Sequence, residues 1–173
     1  GVEIPVVSPD FETNVEGLFV AGELGGMGLI RNAIEQGRQA MEAIRTGPGV
    51  GRGDRLDVVI VGAGPAGLSA SLAALQHGLR FVTLEQETLG GTVAHYPRGK
   101  IVMTAPCELP LFGRIRLRET SKESLLALCL ECGQKNLMVM ELLDRGHVQK
   151  FGAPSPAALQ EGTQRGPGIL ITG

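Results

Sequence analysis

Three glycines and one glutamate form the clearest chemical pattern in this chain. Gly62, Gly64 and Gly67 have the spacing G-x-G-x-x-G directly after an apolar run, and Glu85 follows the last glycine by eighteen positions. Gly62 permits a tight turn, Gly64 leaves room for a pyrophosphate to approach the backbone, and Gly67 lets a helix pack closely on a sheet. The carboxylate of Glu85 can accept hydrogen bonds from ribose hydroxyls. The pattern therefore predicts a site for an adenosine-containing nucleotide.

The elements on both sides of these glycines fit a βαβ unit. Residues 58–61 are continuously apolar, as in a buried parallel strand, and residues 80–85 form a second strand after a segment with helical spacing of leucines. The amino end of this helix follows the glycine turn and offers unpaired N–H groups and the positive end of the helix dipole to phosphates. We expect an α/β fold with a Rossmann-like parallel sheet and helices on both faces.

The amino-acid composition favours a globular domain and argues against nucleic-acid-binding and membrane proteins. The 173 residues suffice for one domain, and 43% hydrophobic with 20% charged residues is typical of a soluble globular protein. A net charge of −2 and 3% aromatic residues argue against nucleic acid and anionic membranes as partners. No apolar run approaches the ~18 residues of a membrane span. Three cysteines suit a reducing compartment, so we expect a cytoplasmic protein.

The sequence divides into four segments. Residues 1–46 contain a short apolar strand, a glycine-rich turn and a helix, and residues 47–55 form a glycine-rich linker. Residues 56–128 contain the βαβ unit and the loop after it. Residues 129–173 form a tail with little helical or strand periodicity, which we expect to be irregular or disordered.

Both glycine-containing motifs together resemble the FAD-dependent pyridine nucleotide-disulfide oxidoreductases, especially the thioredoxin-reductase-like branch. The FAD domain of that family combines G-x-G-x-x-G and an adenosine-binding acid with a second motif, T-x-x-x-x-[apolar]-F-[apolar]-A-G-[DE]. Residues 13–23 match the second motif. The resemblance implies FAD as cofactor, with the second motif, a helix start and a G-G-T loop near the flavin. The implied cofactor-binding residues are Gly22, Glu23, Leu29, Gly62, Gly64, Pro65, Ala66, Gly67, Glu85, Gln86, Gly91 and Thr92.

The two motifs occur in the reverse of the family's order, and the resemblance covers about residues 5–128. It implies the middle of a ferredoxin–reductase fusion, with a ferredoxin-like region elsewhere in the full-length chain. The implied function is the FAD-binding part of an oxidoreductase that passes electrons from NAD(P)H to an unidentified acceptor. The fragment alone is expected to be inactive, because the pyridine-nucleotide domain with its own glycine motif is missing.

Two other functions compete with this interpretation. One is a non-catalytic FAD- or NAD-binding fragment, which also follows from the missing domain. The other is a plain NAD dehydrogenase that uses Glu85. Such an enzyme has no use for the Gly22-Glu23 segment, which therefore argues against it.

Several reactive side chains have two interpretations. Cys129 and Cys132 could form a redox pair or half of a zinc site, but two ordinary thiols are favoured. His95 and Tyr96 could line a substrate pocket, although simple packing is favoured. Val93 stands where a redox cysteine follows G-G-T in one branch of the family. The sequence identifies no catalytic residue and no metal site.

The tail has two alternative origins. It is either a divergent native ending or a peptide translated out of frame from about Leu128, and the lack of apolar periodicity favours the second. Residues 169–171 are apolar, but we expect them to be unable to pair within a sheet.

Overall fold

The computed structural model describes residues 6–22, 29–52, 55–86, 88–103, 106–115, 120–135, 140–144, 147–151 and 168–172. Three α-helices lie in these ranges, namely α1 (Ile30–Arg45), α2 (Pro65–Gln76) and α3 (Lys122–Lys135). A 3₁₀ helix spans Gly91–His95. The strands are β1 (Leu18–Ala21), β2 (Val58–Val61), β3 (Phe81–Glu85), β4 (Ile101–Met103), β5 (Cys107–Leu109), β6 (Gly113–Ile115), β7 (Thr120–Ser121), β8 (Met140–Asp144), β9 (His147–Phe151) and β10 (Gly168–Thr172).

The main sheet has six strands in the order β1-β10-β2-β3-β8-β9. Neighbouring strands from β1 to β8 run parallel, and only the edge strand β9 pairs antiparallel, with β8. Two small antiparallel pairs, β4 with β7 and β5 with β6, lie outside this sheet. The predicted Rossmann-like parallel sheet is confirmed.

The strand β10 lies in the interior of the sheet, so the prediction that residues 169–171 cannot pair is wrong. Leu170 pairs with Phe19 of β1 on one side and with Ile60 of β2 on the other. Its side chain is fully buried. A short apolar run is typical of a strand buried in a parallel sheet, where no alternation is needed. The strands β8 and β9 likewise form a hairpin inside the segment expected to be irregular.

The helices α1 and α2 pack together on one face of the sheet. A Cβ atom on Gly37 of α1 would overlap the carbonyl oxygen of Ala66 in α2, so only glycine permits this approach. On the opposite face, Val61 and Ile169 are 36% and 42% exposed. The sheet is flanked by helices, as the predicted fold class requires. The helices and the sheet share one apolar core, which consists of Phe19, Ala21, Ala40, Met41, Ile44, Val58, Ile60, Ala70, Ala73, Ala74, Phe81 and Leu170.

The buried carboxylate of Asp57 connects the amino ends of β2 and β3 through hydrogen bonds. Asp57 Oδ2 accepts a hydrogen bond from the Arg80 amide at 2.8 Å, and Asp57 Oδ1 accepts from Arg80 Nη2 at 3.1 Å and from the Gly51 amide at 2.7 Å. Burial alone would raise the pKa of Asp57, but these hydrogen bonds and the Arg80 charge outweigh burial and lower it. The ionised form of Asp57 is therefore stabilised by folding.

We expect Asp57→Asn to lower the free energy of unfolding by about 2 to 4 kcal/mol near neutral pH, because it removes the buried charge from its partners. A lowered folded-state pKa means that this stabilisation is full above the unfolded-state pKa. It is lost as the pH falls through the lower folded-state pKa, so the wild type and the variant should converge in acid. Urea unfolding along a pH series measures both effects.

The control for this prediction is Glu35→Gln. Glu35 pairs with Arg38 on the exposed side of α1, so its replacement should cost less than about 1 kcal/mol. An Asp57→Asn cost as small as that of the control, at neutral pH, would contradict the assigned role of Asp57.

Candidate functional site

The glycine turn at the carboxyl end of β2 is shaped by two glycines that tolerate no side chain. Gly62 has a φ of +105°, and a Cβ atom there would overlap the carbonyl oxygen of Thr172 in β10. A Cβ atom on Gly67 would overlap the carbonyl oxygen of Gly62. The first glycine is thus required by backbone conformation and contact, and the third by the close approach of α2 to the turn.

Gly64 differs from the other two glycines. Its φ is −73°, which any residue adopts, and a Cβ atom there would meet only the carbonyl oxygen of Gly90, at 3.9 Å. The fold therefore does not require glycine at this position. The space beside Gly64 opens into a cleft, where a side chain would compete with a ligand.

The amino end of α2 faces the same turn. The first helical hydrogen bond runs from the Leu68 amide to the Gly64 carbonyl at 2.8 Å, and Pro65 has no N–H group. The amides of Ala66 and Gly67 consequently precede the helical hydrogen-bond ladder. Such amides, with the positive end of the helix dipole, suit an anion.

Glu85 ends β3 beside this turn and is 8% exposed. Its Oε2 accepts a hydrogen bond from the Ala63 amide at 2.7 Å, and its Oε1 accepts from the Gln86 amide at 2.7 Å. The carboxylate is thus held at the end of the adjacent strand, within contact of the glycine turn.

A cleft of about 280 Å³ brings most of the predicted residues together. Seven of them line it: Gly62, Gly64, Pro65, Glu85, Gln86, Gly91 and Thr92. Ala66 and Gly67 lie in the adjoining helix turn but do not line the cleft, and neither do Gly22 and Leu29. Glu23 lies outside the described residues.

Some residues of the cleft wall were not among the predicted site residues. Ile30 and Ala33 of α1 and Thr172 of β10 also line it, together with Val93. The Thr172 hydroxyl donates towards the carbonyl oxygens of Val61 at 3.0 Å and Gly62 at 3.1 Å. Ile30 and Ala33 belong to the helix predicted within residues 1–46, but no local pattern identified Thr172.

His95 and Tyr96 also line the cleft, at the end of the 3₁₀ helix. Lys122 Nζ, at the start of α3, donates to the Tyr96 carbonyl at 2.7 Å, and Lys100 Nζ lies 3.9 Å from the centre of the Tyr96 ring. These contacts fix one wall of the cleft. Their position in the cleft agrees with the interpretation that they line a pocket, rather than with simple packing, which was favoured from the sequence. A contact with substrate stays a prediction for both side chains.

The strand of the second motif does not adjoin β2, because β10 lies between β1 and β2. The helix α1 that follows this motif nevertheless packs in one core with Val58 and Ile60 of β2. The ends of the strands remain level, since Ala21 pairs with Thr172. The Gly22 amide donates to Gln36 Oε1 of α1 at 2.9 Å, which holds the chain at the end of β1.

The described cysteine thiols lie in the core rather than in the cleft. Cys107 and Cys129 are both buried, and burial raises the pKa of the Cys107 thiol. The side chain of Cys132 lies outside the described residues, so the C-x-x-C interpretation stays open. Within the described ranges, no cluster of three or more His, Cys, Asp or Glu side chains is placed to hold a metal ion.

The helices in the described part of the chain lack the combination of length and apolar character needed to cross a membrane.

The parallel sheet and its glycine turn place the chain in the Rossmann-like α/β class. Residues 59–143 match the family described as pyridine nucleotide-disulphide oxidoreductase, so the predicted resemblance to that family is confirmed over this segment. The match also runs past Leu128, where the resemblance was expected to end. The origin of the tail stays a prediction.

Three curated relatives that match parts of this chain are each named hydroxylamine reductase. The protein from Moorella thermoacetica is 61% identical over 44 residues, which is 25% of this chain and 10% of the relative. The protein from Methanosarcina mazei is 45% identical over 51 residues, covering 30% of this chain and 9% of the relative. The protein from Thermotoga maritima is 30% identical over 116 residues, covering 64% of this chain and 26% of the relative. The chain thus spans about a tenth to a quarter of the length of these relatives.

Proposed function

We propose that this chain is the FAD-binding part of a flavin-dependent oxidoreductase that passes electrons from NAD(P)H to an acceptor. One observation carries the proposal: the glycine turn, the amino end of α2 and Glu85 meet at one cleft. This arrangement offers amides to a pyrophosphate and a carboxylate to a ribose, which together form the adenosine half of a dinucleotide. The family match of residues 59–143 supports a redox use of that dinucleotide.

The chain's residues divide between the two halves of the cofactor. Gly64 would contact the pyrophosphate, the amides of Ala66 and Gly67 would face it from the adjoining turn of α2, and Glu85 would accept hydrogen bonds from the ribose. The cleft of about 280 Å³ lies near the lower limit of ligand pockets, so it takes only part of a dinucleotide. The flavin half would then contact the residues that the family resemblance assigns to it, namely Gly91 and Thr92 of the cleft, Gly22, Leu29 and Glu23, of which Glu23 lies outside the described residues.

When bound, FAD supplies the hydride- and electron-transfer chemistry, so the chain needs no nucleophile of its own. Its residues bind and orient the cofactor. In the full-length protein we expect NAD(P)H as the donor and a ferredoxin-like region as a further partner. Because the similar proteins are named hydroxylamine reductase, hydroxylamine is the first electron acceptor to test. A thioredoxin-reductase-like dithiol reaction has no support among the described cysteines.

The experiment starts with an absorption spectrum of the protein purified without added cofactor. The chain has one tyrosine and no tryptophan, and that tyrosine, Tyr96, lines the cleft. Its emission should therefore be quenched when FAD is titrated into the apoprotein, which measures binding directly. Bleaching of the flavin by NADPH in the full-length protein would favour the oxidoreductase. A bound flavin that NADPH does not bleach would favour the non-catalytic fragment.

We expect Gly64→Ala to weaken FAD binding by at least about tenfold, or 1.4 kcal/mol, with little change in the thermal unfolding midpoint. The added methyl group points into open space in the protein and so obstructs the ligand alone. Gly168→Ala is the matched control, because a Cβ atom there makes only ordinary contacts, at the opposite end of the sheet. Unchanged FAD affinity in the Gly64 variant would refute the assignment of this turn to the pyrophosphate.

A further inference from the structure

The carboxylate of Glu85 is hydrogen-bonded to the backbone of the glycine turn. The Ala63 amide donates to Oε2 at 2.7 Å, and Ala63 itself is only 1% exposed. The second oxygen, Oε1, accepts from the Gln86 amide at 2.7 Å. Both oxygens therefore accept hydrogen bonds from main-chain donors.

Ala63 connects three parts of the cleft. Its amide is held by Glu85 at the end of β3, and its carbonyl oxygen accepts a hydrogen bond from the Gly90 amide at 2.9 Å. Gly90 directly precedes the 3₁₀ helix whose residues form the opposite wall. The orientation of the peptide groups around Ala63 thus depends on Glu85 and on this wall together.

A buried amide that loses its acceptor carries an uncompensated desolvation cost, so the Ala63 amide needs the Glu85 oxygen. Each oxygen of an ionised carboxylate has about two acceptor positions, so an oxygen that accepts from a main-chain amide can also accept from a ribose hydroxyl. One side chain can therefore hold the turn and bind a ligand at the same time.

We propose that Glu85 is a positioning residue of the glycine turn, which fixes the Ala63 peptide and thereby the shape of the phosphate-facing surface. The predicted contact with ribose is then a second role of the same carboxylate, and only that second role rests on the proposed function. A ligand with phosphates but no ribose should consequently also depend on Glu85.

The first test uses Glu85→Gln without any ligand. The amide keeps the size of the side chain but replaces one acceptor oxygen by an NH₂ donor. We expect hydrogen exchange of the Ala63 amide to accelerate by at least about tenfold and the thermal unfolding midpoint to fall. Glu108→Gln, on the exposed position of β5, is the control and should change neither.

The second test compares two probes, inorganic pyrophosphate and ADP, by isothermal titration. We expect Glu85→Gln to weaken both, whereas a residue that binds only ribose would leave pyrophosphate unaffected. The proposal would be overturned if Glu85→Gln left the hydrogen-exchange rate of the Ala63 amide unchanged and weakened the binding of ADP but not of pyrophosphate. Failure of the wild-type protein to bind FAD would refute the proposed function but leave the exchange result standing.

A third measurement needs no variant. In the wild-type protein, a scalar coupling across the hydrogen bond between the Ala63 nitrogen and the Glu85 carboxyl carbon should be detectable by NMR. This keeps the proposal testable if Glu85→Gln does not fold. Absence of that coupling, with rapid exchange of the Ala63 amide, would also overturn it.

Discussion

Gly67→Ala is expected to prevent the domain from folding, although alanine is the better helix former. Helix propensity alone would favour the variant by about 1 kcal/mol. The new Cβ atom would, however, overlap the carbonyl oxygen of Gly62, and it would lie 2.9 Å from Thr172 Oγ1. Neither the turn nor the first turn of α2 can move without breaking the contact between β2 and β10. We therefore expect a loss of more than about 4 kcal/mol, comparable with the total stability of a small domain.

Urea unfolding monitored by circular dichroism measures this loss, with Gly64→Ala as the matched control. The two variants make the same chemical change three positions apart, and only the one at Gly67 overlaps a backbone atom. Equal stability of the two proteins would show that the close packing of α2 on the turn is not as described.

Leu170→Asp is the second substitution for which we expect loss of the fold. The side chain is fully buried in the core between the sheet and the helices, and β10 pairs on both of its edges. A carboxylate there would have no countercharge among the core residues, and truncation of a buried leucine alone costs about 2–5 kcal/mol. The variant should therefore be unfolded or aggregated near neutral pH.

The control is Ile169→Asp, which places the same charge one position earlier on the same strand. Ile169 points to the exposed face and is 42% accessible, so we expect the variant to stay folded, with at most a modest fall in the unfolding midpoint. Thermal unfolding and gel filtration distinguish the two results. A folded, monomeric Leu170→Asp protein would contradict the interior position of β10.

Local patterns were sufficient to predict the βαβ unit. The apolar run of β2, the glycine spacing and the helical leucines are contiguous in sequence, and each needs only neighbouring residues to specify its structure. The joint placement of Gly64 and Glu85 at one cleft followed from the same unit, because parallel strands end at the same edge of a sheet.

The remaining parts of the fold depend on pairings that no local pattern encodes. The position of β10 between β1 and β2 is set by backbone partners far away in sequence, and the apolar residues around Leu170 are compatible with several environments. The glycine- and proline-rich composition before it suggested disorder instead. For the same reason Thr172 could not be identified as part of the cleft wall, since only its distant neighbours give it that role.

The interior position of β10 has a consequence for how the chain folds. Thr172 bonds to Val61, which is 111 positions earlier, so the middle of the sheet closes only after nearly all of the intervening chain has been translated. Such non-local closure slows folding, because the loop entropy is lost before the contacts form. Until then, the facing edges of β1 and β2 present unpaired backbone groups that can recruit other strands. The nascent chain should therefore depend on chaperones more than its size suggests.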